Sequence, residues 1–266
     1  MRKITCLNEL KTIELEIMKK IHEFCAENNI VYFLAYGTLI GAMRHGGFIP
    51  WDDDIDIWMP RPDYQKFLSS FPAWAHENGL ELANHKTDVY FGRAMSKVFD
   101  SRTKLIEPEF RFDDPIGVFV DVWPLDGTPN DTHERDKHIA KAIRYHKMLY
   151  ACVTKPAFAT PKKIIKSLTT LPFTFVNSKQ LIDKIEELAQ EYTYSNAEWV
   201  YCPAYPMVVM EKESFKDAQL AKFEDTEFYV PSGYDALLTK RYGAWREYPP
   251  AKDRVPHHVI NTWWLE

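Results

Sequence analysis

An acidic run that leads directly into an apolar strand pattern is the most constraining feature of this chain. Residues 51–57 read WDDDIDI. Because side chains alternate faces along a β-strand, Asp54 and Asp56 are expected to project together while the isoleucines beside them enter the core. Burying two neighbouring carboxylates is costly unless a cation lies between them. The run therefore predicts a site for a hard divalent ion such as Mg²⁺, with a solvated acidic turn as the alternative for Asp52 and Asp53.

Composition argues against several classes of protein. The 266 residues are 45% hydrophobic and 27% charged, which is typical of a globular protein with a substantial core. The net charge of −5 argues against a nucleic-acid partner, which normally requires a basic surface. The four cysteines are widely spaced and form no CxxC, as expected of reduced thiols. No apolar run reaches signal-peptide or membrane-span length, so we predict a cytoplasmic protein.

Hydrophobic periodicity and turn residues predict a mixture of helices and strands. Up to the acidic strand, we predict a helix at about 7–28, a strand at 31–36, a break at Gly37-Thr38 and a short helix at 39–44. After it we predict a helix from Pro60 and Pro62 to about 76, and then strands at 80–83, 90–99, 103–106 and 116–122. The remaining predicted elements are helices at about 132–152, 161–170 and 178–193, strands near 198–202 and 218–230, and a helix at 234–242. These elements predict an α/β protein of the α+β kind. Its mixed β-sheet core is flanked by helices, with a helical elaboration after residue 130.

Three pieces of sequence point together to phosphate chemistry. Gly37-Thr38 follows a predicted strand, where a glycine lets backbone and hydroxyl groups approach a phosphate. Asp54 and Asp56 supply two carboxylates. Asp121 stands within the apolar run 118–122, where a buried carboxylate needs a cation or hydrogen-bond donors. If the two acidic strands lie side by side, Asp121 completes a carboxylate triad, and this order of elements resembles the nucleotidyltransferase fold.

Three blocks of the sequence resemble the LicD family, phosphocholine transferases that decorate bacterial surface glycans. Residues 36–57 read YGTLIGAMRHGGFIPWDDDIDI, the most specific block, and residues 121–128 read DVWPLDGT, the second block. The third block is matched by Tyr242-Gly243, Pro249-Pro250, Arg254 and His257-His258. The resemblance covers about residues 7–258, although residues 130–200 show no matching motif.

The resemblance implies transfer of phosphocholine from CDP-choline to a hydroxyl of a bacterial cell-surface glycan precursor, of the teichoic acid or lipopolysaccharide type, with release of CMP. It implies that Asp54, Asp56 and Asp121 are the catalytic and metal-binding residues. They would hold Mg²⁺, with Mn²⁺ as a substitute, against the donor diphosphate. Asp121 is expected either to bind the metal or to accept the proton of the attacking hydroxyl.

The resemblance and side-chain chemistry together imply further substrate-binding residues. They are Gly37, Thr38, Arg44, His45, Lys97, Arg254 and His257, with Arg93 as a further candidate phosphate clamp. Structural roles remain open for several: Arg44 pairing with the loop aspartates, Arg93 as a surface charge, and the C-terminal histidines in an exposed tail. Asp126 is expected to cap the turn at Gly127. Choline is a permanent cation that aromatic rings hold well, and the rings available for it are Trp51, Trp58, Trp123, Tyr201 and Tyr205.

The implied architecture is one domain over 1–266, with a nucleotidyltransferase-like core at about 1–130, a helical insertion at about 131–200 and a C-terminal part at about 201–266 that closes the site. We expect the glycan acceptor to contact the middle part, where specificity loops are free to differ. The basic and apolar segment 161–176 raises the hypothesis of peripheral association with the inner face of the cell membrane, where a lipid-linked acceptor would lie. We favour the alternative, a core-packing helix with exposed lysines.

Two other enzyme classes and one binding module share parts of the pattern. A DxD glycosyltransferase also binds a metal and a nucleotide sugar, but no Rossmann-like half precedes the acidic pair. A nucleotidyltransferase acting on a small molecule shares the triad, and transfer of another sugar phosphate stays open because the carboxylates recognise only phosphate. An EF-hand does not fit, since Ile57 occupies the position that requires glycine and Asp63 the position that requires glutamate. Release of CMP would distinguish phosphocholine transfer from nucleotide transfer, which releases pyrophosphate.

Overall fold

The computed structural model shows helices packed on a mixed β-sheet. It describes residues 1–87, 92–111, 116–156, 176–254 and 261–265. Within these ranges lie six α-helices and a seven-stranded sheet that contains both parallel and antiparallel pairs. The predicted fold class is therefore confirmed, and the predicted division into three parts stays a prediction.

The elements are numbered in chain order. The helices are α1 (Leu7–Glu27), α2 (Tyr36–His45), α3 (Arg61–Glu77), α4 (Thr132–Val153), α5 (Ser178–Ala189) and α6 (Tyr234–Tyr242). The strands are β1 (Arg2–Lys3), β2 (Phe33–Leu34), β3 (Asp56–Pro60), β4 (Leu80–Ala83), β5 (Ser96–Asp100), β6 (Thr103–Ile106), β7 (Phe119–Gly127), β8 (Trp199–Cys202), β9 (Tyr205–Glu211), β10 (Ala218–Phe223), β11 (Thr226–Pro231) and β12 (Asn261–Trp264).

The central sheet brings early and late parts of the chain together. Its strands follow the order β2–β3–β7–β5–β4, with β8 paired to the end of β7 and β9 paired to β8. β3 and β7 run parallel, and the other neighbouring pairs are antiparallel. Two smaller sheets, β1–β12–β6 and the β10–β11 hairpin, complete the described strands. β7 therefore occupies the middle of the sheet, beside both β3 and β5.

Helices α1 and α3 cover the sheet with apolar side chains. The buried stripe of α1 includes Leu10, Ile17 and Ile21. On α3, Phe67 and Phe71 stack with ring centroids 4.3 Å apart. Fully burying one such side chain stabilises the fold by about 1.5–3 kcal/mol. This packing holds the sheet, and with it the strand ends that carry the acidic residues.

Most predicted elements match the described ones, including α1, β4, β6 and α6, but the boundaries around the acidic run are wrong. Helix α2 begins at Tyr36, so Gly37 and Thr38 lie inside the helix and not in a break. Strand β3 begins at Asp56, so Asp54 precedes the strand. The reason is a turn in which the Asp52 N–H donates to the Ile49 carbonyl, which keeps the acidic loop out of the sheet.

Other differences arise from long-range pairing. Strand β7 starts at Phe119 and continues to Gly127, beyond the predicted end at 122, because β8 supplies a partner for its last two residues. Strand β9 is absent from the predictions, as is β12 near the C-terminus. The predicted helix at 161–170, the first residues of the predicted strand at 90–99 and most of segment 161–176 lie outside the described residues.

A buried ionic network joins the sheet to the helical elaboration. Arg61 of α3 donates from Nε and NH2 to the two carboxylate oxygens of Asp126 on β7, both at 2.6 Å. Its NH1 group donates to Glu186 of α5 at 2.8 Å. The prediction that Asp126 caps a turn is therefore wrong, because its carboxylate is engaged by the arginine inside the protein. No helix in the described ranges is both long and apolar enough to cross a bilayer.

Candidate active site

Two carboxylates meet on neighbouring parallel strands. Asp56, the first residue of β3, is in register with Asp121 of β7. The Asp121 N–H donates to the Ile55 carbonyl at 2.9 Å, which fixes this register. Because residues paired across adjacent strands project to the same face, both carboxylates lie on one side of the sheet. The predicted adjacency of the two acidic strands is confirmed.

Asp56 is held by groups from two other positions. The indole N–H of Trp123, on β7, donates to Asp56 Oδ1 at 2.7 Å. The backbone N–H of Asp56 donates to the Thr38 hydroxyl oxygen at 2.9 Å. Thr38 is buried in the first turn of α2, so this bond ties the helix to the start of β3. The hydroxyl predicted to contact a phosphate thus positions the Asp56 backbone.

A buried lysine faces the second carboxylate. Lys97 on β5 is paired with Asp121 across the sheet, and its Nζ lies 3.1 Å from Asp121 Oδ1. Glu107 lies 3.9 Å from the same Nζ and pairs with Arg93 at 2.9 Å. Lys97 Nζ also lies 2.9 Å from the centroid of the Phe119 ring. Lys97, predicted as a phosphate clamp, therefore supports the charge of Asp121, and Arg93 belongs to the same group.

The loop before β3 groups three carboxylates closely. One oxygen from each of Asp52, Asp53 and Asp54 lies within 4.8 Å of the other two. Asp52 and Asp53 are buried and Asp54 is half-buried. The predicted metal-binding set differs, since it combines Asp54 with Asp56 and Asp121 from the strands. Asp54 is the carboxylate that belongs to both sets.

Gly37 lets the carboxylate of Asp52 approach helix α2. A Cβ built on Gly37 would lie 2.6 Å from Asp52 Oδ2, too close for any side chain without movement. The carboxylate therefore rests on the first turn of α2, where the free N–H groups and the helix dipole favour negative charge. The glycine predicted to admit a phosphate admits this carboxylate, and its contact with a phosphate stays a prediction.

We expect Gly37→Ala to destabilise the protein by about 1–3 kcal/mol, because the added methyl group displaces the Asp52 carboxylate. In an Asp52→Ala background the same substitution should be neutral or stabilising by about 0.5–1 kcal/mol, since alanine is the better helix former. Urea denaturation of the four proteins of this cycle measures the difference. An equal loss in both backgrounds would contradict the assigned contact.

Buried negative charge dominates the electrostatics of the site. Burial raises the pKa of Asp56 well above its ordinary value, and repulsion by Asp54 and Asp121 raises it further. Burial also raises the pKa of Asp121, which the nearby Lys97 opposes. Glu14 of α1 is a further buried carboxyl, and its pKa is raised by burial and then by the loop aspartates. The positive charge of Lys97 alone does not balance these groups.

The candidate ligands suit a hard divalent cation. They are all carboxylate oxygens, which Mg²⁺ and Mn²⁺ prefer over nitrogen or sulfur ligands. The raised pKa values of Asp56 and Asp121 mean that added positive charge would stabilise the site as it is folded. The residues present therefore fit the predicted metal, and their role as ligands stays a prediction.

A cavity of about 580 Å³, which we call the acidic cavity, opens over this loop. Its size lies within the range of roughly 300–1,000 Å³ typical of small-molecule sites. One side is formed by Gly37, Asp52, Asp54 and Asp56. The opposite side comes from the C-terminal part of the chain and includes Tyr242, Trp245, Glu247, Tyr248 and Asp253.

Arg44 ties the C-terminal segment over the acidic cavity. Its NH1 group donates to the carbonyls of Trp245 at 2.7 Å and Glu247 at 2.9 Å. Its Nε donates to His45 Nε2 at 3.0 Å, and its guanidinium lies 5.1 Å from the centroid of the Tyr248 ring. These bonds go to carbonyls and a ring, and not to the carboxylates of the acidic loop. Arg44 thus builds the roof of the cavity.

His45 and Arg254 lie on the same roof. The His45 ring meets Trp51 and Tyr248 edge-on, with centroids 6.4 and 5.4 Å away. Burial lowers the pKa of His45, so the ring is neutral near pH 7. Arg254 lies over the same two rings at 5.6 and 5.3 Å. The remaining predicted substrate-binding residue, His257, lies outside the described residues.

Two features of the site are absent from the predictions. Glu14 lies within the apolar stripe of α1. A charged residue at a position where the helical period requires an apolar one could have identified it as a buried carboxyl from the sequence. Trp123 is predicted only as one of the rings available to hold choline, whereas its N–H donates to Asp56. That bond crosses between strands and has no signature in the local sequence.

Comparison with known proteins places the chain in a family of transferases. Residues 29–179 match the profile of the family described as LicD/FKTN/FKRP, nucleotidyltransferase domain, and the chain belongs to this family. It is 31% identical over 270 residues to the lipopolysaccharide cholinephosphotransferase LicD of Haemophilus influenzae, and the match covers 100% of both chains. The predicted family and the predicted enzyme class, a transferase, are confirmed.

Two shorter matches are to uncharacterised proteins. One, from Rickettsia typhi, is 36% identical over 94 residues, which cover 35% of this chain and 30% of the relative. The other, from Rickettsia prowazekii, is 50% identical over 71 residues, or 26% of this chain and 27% of the relative.

Proposed function

We propose that this protein transfers phosphocholine from CDP-choline to a hydroxyl of a cell-surface glycan precursor of the lipopolysaccharide type, and releases CMP. The observation that carries the proposal is the register of Asp56 with Asp121 beside an acidic loop and under a ligand-sized cavity. The full-length relative that acts as a lipopolysaccharide cholinephosphotransferase supports the same chemistry. A teichoic acid precursor is the alternative acceptor.

In this proposal, Asp54 and Asp56 hold Mg²⁺ or Mn²⁺ beneath the acidic cavity, and of the two roles predicted for Asp121 we assign it that of proton acceptor. When bound, the ion would neutralise the charge of the donor diphosphate. Trp123 and Thr38 keep Asp56 in place through the two bonds described above. The roof residues Arg44 and Arg254 add positive charge on the side of the cavity away from the loop.

The transfer itself is a displacement at phosphorus. The acceptor hydroxyl oxygen forms a bond to the choline-bearing phosphorus, and the bond from that phosphorus to the CMP oxygen breaks. The electron pair leaves with CMP, and the hydroxyl proton passes to the Asp121 carboxylate. Burial raises the pKa of Asp121, which suits it to accept a proton, while Lys97 stabilises its charged form before transfer.

The choline group requires aromatic rings and negative charge. Of the rings predicted for this role, Trp58 and Tyr201 are buried in the core and are excluded by their positions. Trp51 lines the acidic cavity together with Tyr242, Trp245 and Tyr248. Because carboxylates also line this cavity, we place the trimethylammonium group there. We further propose that the protein works in the cytoplasm, at the inner face of the membrane, where precursors carried on lipid are exposed.

The test is incubation with CDP-choline, Mg²⁺ and lipopolysaccharide oligosaccharide, followed by mass spectrometry. We expect the oligosaccharide to gain one phosphocholine group, CMP to appear in equal amount, and both products to vanish with excess EDTA. Pyrophosphate in place of CMP would favour a nucleotidyltransferase, and transfer from a nucleotide sugar would favour a DxD glycosyltransferase. Either result would overturn the proposal.

A further inference from the structure

A second cavity adjoins the carboxylate site from the side of the helical elaboration. It has a volume of about 210 Å³, and we call it the aromatic cavity. Its lining combines Trp123 of β7 and Tyr205 of β9 with Phe110, His146, Tyr150 and Ile185. The cavity therefore lies where the sheet meets α4, α5 and the β8–β9 hairpin.

Trp123 connects the aromatic cavity to the reacting centre. Its ring lines the cavity, and its N–H donates to Asp56 Oδ1 at 2.7 Å. Met95 also lines the cavity and lies two residues before Lys97, whose Nζ contacts Asp121 at 3.1 Å. Asp56 itself lines the acidic cavity. The Trp123–Asp56 bond thus links a side chain of the aromatic cavity to a carboxylate of the acidic cavity.

The aromatic cavity differs from the acidic cavity in charge. None of its described lining residues is a carboxylate, and Arg93 contributes a cation that is paired with Glu107. Burial lowers the pKa of His146, so this residue is neutral near pH 7. This cavity therefore offers a permanent cation such as choline no carboxylate, whereas the acidic cavity offers both aromatic rings and carboxylates. A neutral ligand with apolar faces and hydroxyl groups suits aromatic walls with a few polar groups.

We infer that the aromatic cavity is the acceptor subsite, and that it binds the monosaccharide unit whose hydroxyl receives the phosphoryl group. The inference rests on the proposed function. Displacement at phosphorus needs the nucleophile and the leaving group on opposite sides, and the two cavities linked by the Trp123–Asp56 bond provide a place for each. The volume of about 210 Å³ is smaller than that of typical sites for larger ligands, so it admits a single small unit.

The origin of the lining residues supports this assignment. His146 and Tyr150 come from α4 and Ile185 comes from α5, so this wall of the cavity is built by the helical elaboration and not by the acidic block. Residues that select an acceptor are expected to differ among relatives, whereas those that hold the donor phosphates are expected to be shared. The helical elaboration therefore provides acceptor specificity, and the acidic block serves the donor.

Two substitutions test the subsite. Tyr150→Ala removes a side chain that is 43% exposed and forms one wall of the aromatic cavity. Ala204→Phe fills the cavity from the β8–β9 hairpin. We expect the first to raise the KM for lipid-free lipopolysaccharide core oligosaccharide about tenfold. We expect the second to lower kcat/KM for this oligosaccharide at least about 30-fold. In both, the KM for CDP-choline and the slow CMP release without acceptor should stay within about twofold of wild type.

The matched control is Tyr192→Ala, because Tyr192 is 39% exposed and does not line the aromatic cavity. An unchanged KM for the oligosaccharide in both test variants would overturn the inference. So would a rise in the KM for CDP-choline alone, which would assign the cavity to the donor. Calorimetry with the oligosaccharide alone separates the two proposals. If wild type binds it, Ala204→Phe does not, and no phosphocholine is transferred, then the acceptor subsite stands and the proposed donor is wrong.

Discussion

We expect Asp56→Asn to lose at least about 10³-fold in transfer activity while the protein stays folded. The substitution removes one negative charge from the site that would hold the metal and the donor diphosphate. The amide oxygen can still accept the bond from the Trp123 indole N–H, so the packing around the strand is preserved. Activity is measured as CMP release with CDP-choline and oligosaccharide, and fold by circular dichroism.

The same variant should be more stable than wild type when no metal is present. Burial, Asp54 and Asp121 all raise the pKa of Asp56, so its ionised form is unfavourable in the folded protein. The stability of metal-free wild type should therefore fall as the pH rises from about 4, the ordinary pKa of aspartate, through the raised value. Asp56→Asn should lack this contribution. Urea denaturation across this pH range checks the sign.

Mg²⁺ should reverse the order of stability. An ion that binds only the folded wild type adds about 2.7 kcal/mol at one hundred times its Kd. We expect this gain in wild type and little of it in Asp56→Asn. The control is Asp136→Asn, an exposed substitution on α4, which should leave activity, stability and the response to Mg²⁺ unchanged. Near-normal turnover in Asp56→Asn would refute the assignment of this carboxylate.

Local patterns predicted the regular elements because their causes are local. The apolar spacing of three and four residues in α1 and the short runs that form β4 and β6 depend on nearby residues only. The start of α2 at Tyr36 could not be read in this way. Tyr36 has a φ of 45°, a conformation that residues other than glycine rarely adopt, and only the surrounding packing imposes it.

The acidic residues of the site could be predicted from the sequence, but the contacts that they make across the strands could not. An acidic residue within an apolar run identified Asp121, and the adjacency of β3 and β7, which the predicted triad assumed, is present in the sheet. The pairing of Lys97 with Asp121 depends on β5 lying antiparallel beside β7, which no local pattern specifies. Asp54 lies outside the strand because of a turn at residues 49–52. The alternation of apolar and acidic residues had predicted that Asp54 lies within the strand.

The second large effect concerns the ionic network of Arg61, Asp126 and Glu186. All three side chains are largely buried: the exposed fraction is 8% for Arg61, 1% for Asp126 and 11% for Glu186. Burial raises the pKa of Asp126 to about 6, and the two bonds from Arg61 oppose this rise. Because these residues belong to α3, β7 and α5, the network fastens the helical elaboration to the strand that carries Asp121.

We expect Arg61→Met to destabilise the protein by about 3–5 kcal/mol, because it leaves two buried carboxylates without their cation. The loss should grow with rising pH, since burial raises the pKa of Asp126 and its unpaired ionised form accumulates above that raised value. Urea denaturation at pH 5 and pH 8 measures both effects. The matched control is Arg246→Met, which breaks an exposed pair with Asp235 at 2.7 Å and should change stability little. Similar losses in the two variants would mean that the buried network contributes no more than a surface ion pair.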